Sequence, residues 1–177
     1  PELQELLRKF CILKCWDCRE NSLLKSLLTD FNMSERQYRM LKEQEFVTED
    51  KDVWSVPKCI CEVLLKDIGV LDIEMVYDLC KKHAEDETDA NRDFYEEQKG
   101  RLLSLMISKD VSVIREHKTE VMERLMVLYD MVESDIEEFE HEFFGLWAGI
   151  QNSTCDDVYV TALALYRKYL VLIKDRE

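Results

Sequence analysis

"LLKSLLTDFNMSERQYRMLKEQEFVTEDKDVWSVP", residues 23–57, decides how the first third of this chain folds. Leu23, Leu24, Leu27, Leu28 and Phe31 recur at helical steps and predict a helix from about Ser22 to Phe31. Asn32-Met33 reads as a turn. Ser34 with Gln37 three residues on is a capping box, so a second helix is expected to about Gln44, with Tyr38 and Leu41 inward. Phe46-Val47-Thr48 and Val53-Trp54-Ser55-Val56 are β-branched and aromatic, and Glu49-Asp50-Lys51-Asp52 between them is turn chemistry. An isolated hairpin is marginal in water, so this one must pack on the helices.

Upstream, Leu3, Leu6, Leu7, Phe10 and Leu13 form one apolar stripe and predict a helix from Glu2 to about Trp16. The apolar helix, the turn ending "NMSERQ", the capped helix and the wing-like "EFVTEDKDVWSV" together resemble the winged helix-turn-helix superfamily over residues 3–56. The resemblance implies three helices plus a short β-hairpin. The superfamily holds both DNA binders and protein-interaction modules, so it does not choose between them. Phe46 stands where many members have a glycine, and the wing tip is acidic.

The rest of the chain reads as helix. Gly 4 and Pro 2 in 177 residues leave few breakers and favour a mainly α protein. A short helix is expected over Lys58–Asp67, closed near Gly69; Asp72 caps another to about His83; Glu85–Asp89 is an acidic linker; Phe94–Ser108 is helical. Val121, Leu125, Leu128, Val132, Ile136, Phe139 and Phe143 then run at steps of three and four. With Val111 and Ile114 they predict one long helix over 111–143, ending at Gly145, with Trp147 and Gly149 in the break. Ser153 and Thr154 are expected to cap a last helix with Asp156 and Asp157 in its first turn and Val158, Ala162, Leu165, Tyr169 and Leu172 inward. The fold class expected is a winged-helix-like unit over 1–56, followed by an acidic helical bundle over 57–177.

Charge narrows the partners. Formal net charge is −14. Residues 1–56 hold 9 Lys/Arg against 11 Asp/Glu, and residues 57–177 hold 15 against 27. Nucleic-acid binders carry a basic face, because phosphate contacts supply much of the affinity. The C-terminal part is expected to repel nucleic acid. In the N-terminal part Arg36, Gln37, Arg39 and Lys42 are the residues that can face a groove, which makes a nucleic-acid module the alternative reading.

Seven cysteines without a secreted-scaffold spacing point to reduced thiols and an intracellular setting, cytoplasm or nucleus. The chain begins at Pro1, which suggests a module of a larger protein. Cys15, Cys18, Cys59, Cys61, Cys80 and His83 are the metal candidates by spacing. They lack the glycine-rich knuckles of zinc ribbons, so buried thiols are the expectation, with no metal and no cofactor. Glu138 and His141 make a single E-x-x-H half-site, where a di-iron bundle needs two. No phosphate loop, nucleophile elbow or H-E-x-x-H occurs, and an enzyme is not expected.

"FEHEFFGLWAGI", residues 139–150, is similar to a short element near the protease domain of separases, but the catalytic His and Cys motifs of that family are missing. The aromatic corner reads first as core where the chain turns, since large aromatics usually bury, and otherwise as a docking patch; the candidate partner surface is Phe143, Phe144, Leu146 and Trp147, with Glu133, Glu137 and Glu140. The function expected is a non-catalytic protein–protein interaction or scaffolding module. Its partner would be a protein with a basic surface or peptide, or a second copy pairing through the apolar seam. No membrane contact is expected.

Overall fold

The computed structural model describes residues 4, 7, 8, 10–13, 15–17, 34–50, 53–85 and 92–174. The helix expected over 22–31 and the turn after it lie outside the described residues. The protein is mainly helical. It divides into two compact units, Pro1–Lys99 and Gly100–Glu177. The boundary expected after residue 56 lies inside the first unit.

In the first unit Gln4, Leu7, Arg8 and Phe10 are helical, and Cys11 N donates to Leu7 O at 2.9 Å. Cys11–Leu13 then turns, and β1 (Cys15–Asp17) follows. The helix expected through Trp16 therefore stops short. The cause is tertiary: β1 lies antiparallel to β3 (Val53–Ser55), with Trp16 opposite Trp54. A ladder with a distant partner leaves no mark on local periodicity.

The capping box forms as expected at the start of α1 (Glu35–Lys42). Ser34 Oγ accepts from Gln37 N at 3.3 Å, and Gln37 Oε1 accepts from Ser34 N at 2.8 Å. After α1 the chain enters β2 (Thr48–Asp50) and then β3. The strand starts later than expected, and Glu49 and Asp50, read as turn, pair with Trp54 and Val53. The sheet order is β1-β3-β2, so the acidic β2 is an edge strand, where charge is tolerated and discourages further pairing. Trp54, on the central strand, is fully buried, with the Lys42 ammonium 5.6 Å from its ring centre.

Pro57 precedes α2 (Lys58–Leu65), and α3 (Val70–Glu85) follows. Asp72 sits within the first turn of α3 instead of capping it. Ile73, Val76, Tyr77, Cys80 and Ala84 form the buried stripe of α3, at three- and four-residue steps. α4 (Arg92–Lys109) runs through the boundary between the units.

The second unit corrects the long helix. Residues 111–150 form three helices: α5 (Val113–Glu116), α6 (Lys118–Ser134) and α7 (Ile136–Ile150). The chain leaves helical geometry at His117 (φ −107°, ψ 34°) and again at Asp135 (φ −144°, ψ 89°). Asp135 is a helix start, its Oδ1 accepting from Glu138 N at 3.1 Å. The apolar spacing continues across the bend because both helices present the same stripe to one core. Val121, Leu125, Leu128 and Val132 are buried on α6; Phe139, Phe143, Leu146 and Ile150 are buried on α7. Nor does the helix end at Gly145: α7 contains both Gly145 and Gly149 and stops at Gln151.

α8 (Asp156–Lys174) completes the unit, with Asp156 and Asp157 in its first turn. Ser153 and Thr154 lie before the helix: Ser153 Oγ accepts from Cys155 N, and Thr154 Oγ1 bonds Arg115 at 2.8 Å. Three contacts fix the direction of α8. Arg115 meets Thr154, Lys118 meets Asp157 at 2.5 Å, and Lys168 Nζ donates to Tyr129 O at 3.0 Å, all at a separation of 39 residues. A constant offset means that α6 and α8 run parallel. α7 runs back between their ends: Arg124 of α6 pairs with Glu142 of α7, and Tyr169 of α8 donates to Glu140 of α7 at 2.7 Å.

Candidate interaction surface

The three-helix arrangement brings aromatic rings from α7 and α8 into one ladder. Trp147 stacks on Tyr159 (ring centres 5.8 Å, 18° between planes) and on Tyr166 (5.5 Å, 22°). Phe144 meets Tyr166 and Tyr169 edge-on, at 6.2 and 5.7 Å. Underneath, Phe139 and Phe143 stack at 5.0 Å and are fully buried. Offset and edge-on pairs each add about 0.5–1.5 kcal/mol beyond area burial, so these ring contacts help hold α7 against α8.

The upper rungs stay open. Phe144 is 39% exposed and Tyr159 38%, with Trp147 and Tyr166 half-buried between them. Gly145 and Ala148 are exposed beside the rings, and a methyl group added at Gly145 would meet nothing within 4 Å. The result is a rigid apolar ridge with free space along one side. Tyr159 and Tyr166 were absent from the sequence-level surface. Only the stacking of two helices reveals them, since each ring taken alone is an ordinary helix residue.

The residues expected to bind a partner separate by depth. Phe143 and Leu146 are fully buried and form the floor. Phe144 and Trp147 reach the surface. Glu137 is exposed, with no ion pair among the described residues. Glu133 pairs with Lys168 at 2.7 Å. Glu140 accepts the Tyr169 hydroxyl, and that bond pushes the Tyr169 pKa up to about 12. Glu142 is half-buried and accepts from both Nε and Nη2 of Arg124. Part of the acidic run is thus spent holding α7 to its neighbours.

In the first unit Arg36 and Arg39 are exposed on α1, with no ion pair among the described residues. Gln37 is occupied by the capping box, and Lys42 leans on Trp54. Of the metal candidates, Cys18 and the side chain of Cys15 lie outside the described residues. Cys59 is an exposed thiol, Cys61 and Cys80 are buried thiols outside any disulfide, and His83 lies 4.8 Å from the Tyr95 ring. The Cys61 side chain hydrogen-bonds Cys11, and together with burial this pushes the Cys11 thiol far above its ordinary range. No group of three or more His, Cys, Asp or Glu placed to hold a metal occurs among the described residues. No described helix is long and apolar enough to cross a membrane.

No family model matches the chain, and no curated protein or solved structure matches it.

Proposed function

We propose that this chain is a non-catalytic protein–protein interaction module of a larger intracellular protein, docking through the aromatic ridge of α7 and α8. The observation that carries the reading is the half-open ladder of Phe144, Trp147, Tyr159 and Tyr166 beside the empty flank of Gly145. Rigid aromatic rings offer large contact area at low entropy cost, and such residues dominate binding energy in interfaces. Glu137 at the edge of the ridge favours a basic rim on the partner.

A photocrosslinking residue at position 159 tests this. Capture of a defined partner is expected, and Phe144→Ser with Tyr166→Ser should reduce it at least about tenfold while the circular dichroism spectrum stays helical. Capture that is indifferent to those two substitutions in a folded variant would overturn the ridge as the docking surface.

In the same reading residues 1–56, within the first unit, are a winged-helix-like element used as a scaffold. Its support is the strand order β1-β3-β2 around a box-capped α1. One observation favours a second reading, nucleic-acid binding: Arg36 and Arg39 are exposed one helical turn apart. Salt-dependent binding to duplex DNA, lost in Arg36→Glu with Arg39→Glu, is its signature. No binding at about 150 mM salt ends that reading.

A further inference from the structure

α8 carries two stripes. The inner one, Val158, Ala162, Leu165 and Tyr169, is buried. The outer one is Asp156, Val160, Leu163, Arg167, Leu170 and Lys174, at steps of four, three, four, three and four. That is a heptad spacing, the pattern of a helix that packs on another helix. Val160 is 62% exposed and Leu170 41%, Val171 beside them is 60% exposed, and Leu163 is half-buried. A surface helix ordinarily turns charge outward along its whole length, so an apolar outer centre asks for a cover.

The order of the stripe says what the cover is. The steps read the same in both directions. Laid antiparallel on a second copy of itself, the stripe sets Asp156 against Lys174, Val160 against Leu170 and Leu163 against Arg167, each pair occurring twice about a two-fold axis. This is the self-complementarity that an isologous interface requires. A parallel arrangement sets Asp156 on Asp156, Arg167 on Arg167 and Lys174 on Lys174, and the like charges oppose it. In the antiparallel arrangement Leu163 lies along the aliphatic stem of Arg167, with the guanidinium reaching water at the edge. The acid at the helix start and the base at its end also agree with the helix dipole, so both charges are at home before any pairing.

We infer that the outer face of α8 is a homodimer interface, in which two copies of this chain pair their α8 helices antiparallel. The inference deepens the interaction reading by naming a second copy as the partner on the α8 side, and it rests on that reading in this respect alone.

Light scattering coupled to size exclusion on the 177-residue chain, at about 150 mM salt, tests it. A species of twice the 21.1 kDa chain mass is expected. Val160→Glu should weaken the dimer about a hundredfold, because it buries an unpaired charge at the seam. Asp156→Lys and Lys174→Glu should each weaken it about tenfold, and the two together should restore it. Because both charged positions are exposed, these variants keep the fold, and circular dichroism checks that they do. A monomer at about 100 µM overturns the inference, and so does a dimer that ignores Val160→Glu or is not rescued by the charge swap. A monomeric chain whose residue 159 still crosslinks another protein overturns the self-pairing and leaves the interaction reading standing.

Discussion

Gly145 and Gly149 stand one helical turn apart on α7 and meet opposite surroundings. Gly145 is exposed with open space where a side chain would go, so Gly145→Ala is expected to stabilise the fold by about 0.5–1 kcal/mol through helix propensity. At Gly149 a methyl group would collide with Cγ2 of Ile107, a buried and branched side chain with little freedom to move aside. Gly149→Ala is expected to cost about 1–3 kcal/mol. Urea unfolding of the two variants checks the pair, and equal signs would contradict this geometry. From sequence both glycines read as a helix end. The spacing of a glycine cannot say whether it breaks a helix or admits a neighbour, because that depends on what lies across from it.

At the scale of elements, two polar side-chain pairs fasten α7, one to α6 and one to α8. The Arg124–Glu142 pair is half-buried, with side chains 17% and 15% exposed, so Glu142→Ala is expected to cost on the order of 2 kcal/mol by stranding the guanidinium. The Tyr169–Glu140 bond carries a pH signature. The folded pKa of Tyr169 is about 12, above the ordinary 10.0, so the bond stabilises fully below pH 10 and is lost as pH rises toward 12. Tyr169→Phe is expected to flatten the alkaline limb of the stability curve over that window, read by thermal melts against pH. These elements were only partly legible. The capping box at Ser34 and the stripes of α6 and α8 are local, and the sequence shows them. The strand at Cys15–Asp17 and the bend at Asp135 are not local: one depends on a partner strand, and the other leaves the apolar period unbroken. The aromatic ladder stayed hidden for the same reason, since Trp147 and Tyr159 belong to different helices.

For the molecule as a whole, net charge sets the terms of association. Two copies at −14 each repel at low ionic strength. Raising salt from about 10 mM to 150 mM shortens the screening length from about 30 Å to about 8 Å. The dimer is therefore expected to tighten over that range, although its Asp156–Lys174 pairs taken alone would loosen. Sedimentation equilibrium at the two salt concentrations reads the sign. The constant 39-residue offset of α6 and α8 has a mechanical consequence for the second unit. A chain that enters α6 at Lys118 and leaves α8 at Lys174 enters and leaves at opposite ends of two parallel rods. Tension applied through the backbone then loads their contacts in shear, all rungs at once, instead of peeling them one by one. A unit pulled that way yields late and abruptly.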